Sequence, residues 1–134
     1  GDFNSNTIWD RKYRVGNHTH VVDRLKKKGI SSCYHTHHGQ QHGKEEQPTY
    51  YLYRHKDKPY HLDYCFVSAD LACKIQSVEI GDYDSWIRYS DHVPVIITFT
   101  DDWSIKTNHF FLIRFISIKI ISSGRCWFLT HKTL

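Results

Sequence analysis

The sequence predicts a mixed α/β (α+β) fold, one clear helix followed by mainly antiparallel sheet, on three observations. Residues 17–29 carry one helical period with its own start and stop signals. Short runs rich in β-branched and aromatic residues follow, each bounded by Gly, Pro, Asp or Lys. A length of 134 residues, with 40% hydrophobic and 15% aromatic content, suits one domain or part of one.

The helix comes first. Asn17 is a suitable cap, His18, Val21, Val22 and Leu25 recur at spacings of three and four, Lys26 to Lys28 sit at the negative end of the helix dipole, and Gly29 stops it. The predicted helix spans 18–28. The strands are then ISSCY (30–34), TYYLY (49–53), YHLDYCFVS (60–68), CKIQSVEI (73–80) and VPVIITFT (93–100), read as one antiparallel sheet. In YHLDYCFVS strict alternation puts His61, Asp63, Cys65 and Val67 on one face and Tyr60, Leu62, Tyr64, Phe66 and Ser68 on the other. An apolar face thus backs a face carrying an acid.

Composition narrows the function. The formal charge of +4 is mildly basic, compatible with phosphate-bearing partners without requiring them. Cys33, Cys65, Cys73 and Cys126 show no close paired spacing and read as reduced thiols, which favours a cytoplasmic setting. No charged-then-apolar leader opens the chain. The run Phe110 to Ile121 contains Arg114 and Lys119 and falls short of the ~20 residues a spanning helix needs, so no membrane span is expected.

Three short stretches carry candidate chemistry. GDFN at 1–4 supplies Asp2 and Asn4, HLDY at 61–64 supplies Asp63, and SDHVP at 90–94 sets Asp91 and His92 in a loop just before an apolar strand. A loop at the end of a rigid strand holds reacting groups in solvent at a fixed position. In this order and at about this separation, the set resembles the endonuclease/exonuclease/phosphatase superfamily (exonuclease III-like and DNase I-like nucleases, sphingomyelinases, inositol phosphatases) over residues 1 to about 100.

The resemblance implies a four-layered α-β-β-α sandwich of which this chain is the C-terminal half, since the GDxN motif falls near the middle of such a domain. Gly1 is then expected to be a cut rather than a start, and the missing N-terminal half of the domain becomes an expected partner. It also implies hydrolysis of a phosphate ester with Mg2+ or Mn2+. Asp2 would orient and deprotonate the attacking water, and Asn4 would bond that water or a nonbridging oxygen. His92 as an imidazolium would contact the phosphate, Asp63 would hold His92 in its tautomer, and Asp91, with Asp2, would sit at the metal. The family's principal metal-binding Glu and an upstream Asn belong to the first half of the domain, so this chain alone is expected to be a weak metal binder with little activity. Half a sandwich would also leave an apolar sheet face uncovered, and association or poor solubility is expected.

The basic loop YRHKDKPYH (53–61) offers Arg54 and Lys56 as substrate contacts, with Tyr53 and Tyr60 as rings for stacking, and inclines the substrate toward nucleic acid. Trp86 stands a few residues before Asp91 as a stacking platform or a packed aromatic. Cys33, His35, His37, His38 and His42 match no standard zinc spacing, and their segment reads as a polar loop between strands. Residues 101–134 form a tail of unassigned character. The contrasting reading is an inactive truncated remnant, or a module that binds phosphate or nucleic acid without cleaving it.

Overall fold

The computed structural model describes residues 1–12 and 16–100, together with the backbone strand 117–120. The mixed α+β class holds, but the strands form three small antiparallel sheets instead of one. Helix α1, His18–Lys27, begins where expected: the Asn17 side chain accepts from the His20 N–H, and basic residues fill its last turn. Strand β1 (Ile30–Ser32) pairs with β4 (Phe66–Ser68), and β2 (Tyr50–Tyr51) pairs with β3 (Pro59–Tyr60). Strand β5 (Ile75–Ile80) pairs with β6 (Val95–Phe99), and β6 pairs on its other edge with β7 (Ser117–Ile120). Part of the tail therefore extends the sheet that ends the expected domain, and the rest of it lies outside the described residues, as do Cys126 and most of the run 110–121.

Two expected strands are cut short. ISSCY ends at Ser32, where helix α2 (Cys33–His38) begins, closed by Gly39 in the left-handed conformation. The histidine-rich segment thus starts as a helix, not a loop. Residues 61–65 are not strand, and four in a row, His61, Leu62, Asp63 and Tyr64, are buried, so the expected two-faced alternation fails there. The cause is local: this segment lies between residues 1–3 on one side and Thr49 on the other and has no solvent face to present.

The apolar core joins two sheets through α2. Cys33 and Tyr34 pack with Val67 of β4 and with Val78, Val95 and Ile97 of β5 and β6. Burying a side chain such as Ile97 stabilises the fold by ~1.5–3 kcal/mol. Short helices α3 (Ala69–Ala72) and α4 (Tyr83–Trp86) bracket β5. At Gly81 a Cβ would lie 2.5 Å from Pro94 Cδ and 2.9 Å from Trp86 Cδ1, so glycine lets the loop before β6 close on α4. Trp86, half-buried, lies against Gly81 at the base of the Asp91–His92 loop. Among the described residues no helix is long and apolar enough to cross a membrane.

Candidate active site

The site is assembled by backbone pairing. Phe3 N–H donates to Leu62 O at 2.9 Å, and Tyr64 N–H donates to Gly1 O at 3.0 Å, which sets Asp2 directly opposite Asp63. Residues so opposed hold their side chains close together, and two like charges there repel. A third pairing answers the repulsion. Tyr51 N–H donates to Asp91 O at 2.8 Å and Val93 N–H to Thr49 O at 2.8 Å, bringing His92 beside Tyr50 and over the two acids.

His92 Nδ1 lies 2.7 Å from Asp63 Oδ2, and His92 Nε2 lies 3.9 Å from Asp2 Oδ2. Asp63 is 3% exposed, so its carboxylate is committed to the imidazole; Asp2 is exposed. Burial alone would lower the His92 pKa, but the hydrogen bond to Asp63 and the charges of Asp63, Asp2 and Asp91 overcome it and hold the imidazole above its ordinary value. The ring of Tyr50 packs on that of His92 at 4.6 Å, fixing its plane. Asp2, Asp63 and His92 each offer a ligand atom within 4.8 Å of the others.

Asn4 sits at a turn with φ of 48°, and its backbone N–H donates to Asp2 Oδ1 at 2.8 Å. That bond orients the Asp2 carboxylate and leaves the Asn4 side chain exposed beside it. Asp91 stands next to His92 and adds its charge to the imidazole. The structure therefore brings Asp2, Asn4, Asp63, Asp91 and His92 to one place.

The outer residues are less closely tied to it. Arg54 and Lys56 lie in the turn between β2 and β3, whose base carries Tyr50 and contacts the His92 loop. Lys56 already pairs with Asp84 at 3.3 Å and lies 5.0 Å from the Tyr83 ring, both exposed contacts of small energetic weight. Arg54 has a φ of 61°, and its carbonyl accepts from Tyr83 Oη. Among the described residues neither side chain contacts the acid–imidazole cluster.

Two supporting residues escaped sequence reasoning. Thr49 Oγ1, wholly buried, accepts from both the Leu62 and Asp63 N–H groups at 2.9 Å, locking the acid in place. Asn6, 3% exposed, donates to Glu45 Oε2, His61 O and Tyr64 Oη, anchoring the segment that starts with Asp2. The only sequence signal was their position, Thr49 as the first residue of the predicted strand 49–53 and Asn6 two residues after GDFN. Comparison of the chain with protein-family models, with characterised proteins and with solved structures gave no match.

Proposed function

We propose that this chain carries the acid–imidazole part of a metal-dependent phosphoesterase of the endonuclease/exonuclease/phosphatase type, within a four-layered sandwich. The observation that carries this reading is the convergence of Asp63, His92 and Asp2, from three separate segments, on one partly exposed point. A buried carboxylate behind an imidazole fixes its tautomer and favours its charged form. The outward Nε2–H then donates to a phosphate oxygen, where a fixed positive charge stabilises the negative charge that builds up in the transition state.

Asp2 supplies the second element. Its Oδ1 is oriented by the Asn4 N–H, and its Oδ2 faces the imidazole, so a water held there is positioned for in-line attack and can pass its proton to the carboxylate. The Asn4 amide bonds that water or a nonbridging oxygen. The exposed carboxylate of Asp2 and that of Asp91, beside His92 in the chain, are hard oxygen donors of the kind Mg2+ or Mn2+ takes one or two at a time, so by the resemblance these two residues would hold the ion. When bound, the ion neutralises charge on the phosphate oxygens. The resemblance assigns the principal metal-binding Glu to the first half of such domains, so this chain's own share is the water, the imidazole and these carboxylates.

The substrate class is a phosphodiester or phosphomonoester, with nucleic acid favoured by a row of rings that runs outward from His92 through Tyr50 and Tyr60 to Trp9. The test is Mg2+-dependent hydrolysis of a generic phosphodiester by the chain and by His92→Ala. A loss of about 10²-fold or more is expected in the variant. Equal rates above the uncatalysed background in the two, or a His92 imidazole whose pKa does not respond to a dialkyl phosphate, would overturn the proposal.

A further inference from the structure

Away from the Asp63–His92 pair, α1, α2 and the loop 39–49 gather a second cluster. His35 Nε2 lies 2.9 Å from Glu45 Oε1, and the two side chains are only 8% and 4% exposed. The His42 ring stacks on that of His35 at 3.5 Å, with His18 and His61 alongside. One ligand atom from each of His35, His42 and Glu45 lies within 4.8 Å of the others.

The hydrogen bonds around these groups single out the atoms an ion would take: His42 Nε2, and the His35 Nε2 and Glu45 Oε1 that now share a proton which an ion would displace. His35 Nδ1 is held by Ser32 Oγ at 2.8 Å, which leaves Nε2 facing Glu45. His42 Nδ1 is held by His18 Nε2 at 3.1 Å, and His18 Nδ1 by Ser5 Oγ at 2.9 Å, which leaves His42 Nε2. Glu45 Oε2 accepts from the Gly43 N–H at 2.9 Å and from Asn6, which leaves Oε1 to the His35 Nε2–H. Metal-binding histidines show this arrangement, one nitrogen on the ion and the other fixed by a hydrogen-bonding partner. A further donor stands close: His61 donates from Nδ1 to Gln47 O at 2.7 Å, while its Nε2 is buried with no partner among the described residues. An unsatisfied buried nitrogen in such a cluster calls for a partner. A cleft lined by Asn6, Gly43, Glu45 and His61 opens on the Glu45 and His61 side of the cluster.

We propose that His35, His42 and Glu45 form a site for a divalent transition-metal ion, with Zn2+ the expected occupant. Two imidazoles and one carboxylate suit Zn2+ and its neighbours and do not suit Mg2+. A tetrahedral ion with bonds of ~2.0–2.1 Å holds its ligand atoms ~3.4 Å apart, so closure takes about an ångström of movement. His42 supplies it by turning out of its stack, since it sits on a loop segment with neither helix nor strand. Sequence spacing alone argues against a zinc site in this segment; of its other residues, Cys33 is packed in the core, and His37 is exposed on the far part of α2.

The test is titration of the metal-free chain with Co2+, followed by displacement with Zn2+ in competition with a chromophoric chelator. One equivalent should bind with the visible absorption of tetrahedral Co2+, and Zn2+ should displace it. His42→Ala and Glu45→Gln should each weaken Zn2+ binding at least tenfold, with His42→Gln as a second variant and circular dichroism reporting the fold. His37→Ala and His92→Ala should bind as the parent does, which separates this site from general histidine binding and from the Asp2–Asp63–His92 cluster. Absence of a tight equivalent, or undiminished affinity in folded His42 variants, would overturn the proposal. The outcome is independent of the phosphoesterase reading.

Discussion

His92 is the residue on which most of the candidate chemistry rests, and its protonation is set by Asp63. Replacing Asp63 with Asn keeps the shape and removes the charge, so the His92 pKa should fall from its raised position toward or below the ordinary value, as read from imidazole NMR shifts against pH. Where the imidazolium is the working form, activity should decline as pH rises through the raised His92 pKa, and Asp63→Asn should move that decline to lower pH. The key acids and the imidazole were legible in the sequence because GDFN, HLDY and SDHVP are short and ordered. Thr49 and Asn6 were not, because their roles exist only in contacts with residues 14 and 55 positions away, Asp63 and His61 respectively. Thr49→Val tests this directly. It leaves two buried N–H groups without their acceptor, at about 1–3 kcal/mol for each orphaned group, measurable by urea unfolding.

Individual elements were legible where local pattern and local environment agree. Helix α1 and strands β5 and β6 lie where periodicity placed them, because their capping residues and apolar spacing act within the segment. Segment 61–65 departs from its pattern because tertiary neighbours cover both of its sides, which no alternation rule can register. Helix α2 was obscured by its histidines, although Ser32 before it and Gly39 after it mark its ends. The loop that carries His92 depends on a close backbone approach, and this gives a prediction at the scale of the element. Gly81→Ala should clash with Pro94 and Trp86 and destabilise the protein by about 1–3 kcal/mol, with the Tyr50–His92 contact disturbed more than the distant β1–β4 pair.

For the molecule as a whole, buried imidazoles dominate the response to acid. Burial pushes His18 and His61 below the ordinary value, and burial with the nearby His35 and His18 brings His42 to about 4. Each contributes its full stability above the ordinary pKa of 6.5 and loses it as pH falls below that, for His42 down to about 4. Burial would raise Glu45, but hydrogen bonds from His35, the Gly43 N–H and Asn6 bring it to about 2, so its contribution persists above the ordinary 4.5 and goes only in stronger acid. His92 acts in the opposite sense: its contribution is complete below 6.5 and is lost as pH rises through its raised value. Three depressed histidines against one raised give a net loss on acidification. The unfolding free energy from urea titration should therefore fall between pH 7 and pH 5, by about 1 kcal/mol or more after allowance for solvent screening. The central claim, that the Asp63–His92–Asp2 cluster is built to meet a phosphate ester, is tested most directly by following the His92 imidazole NMR signals against pH with and without a dialkyl phosphate. A His92 pKa above 6.5 that rises further when the phosphodiester is present is the expected result. An imidazole that titrates at or below the ordinary value and does not respond to the phosphodiester would contradict it.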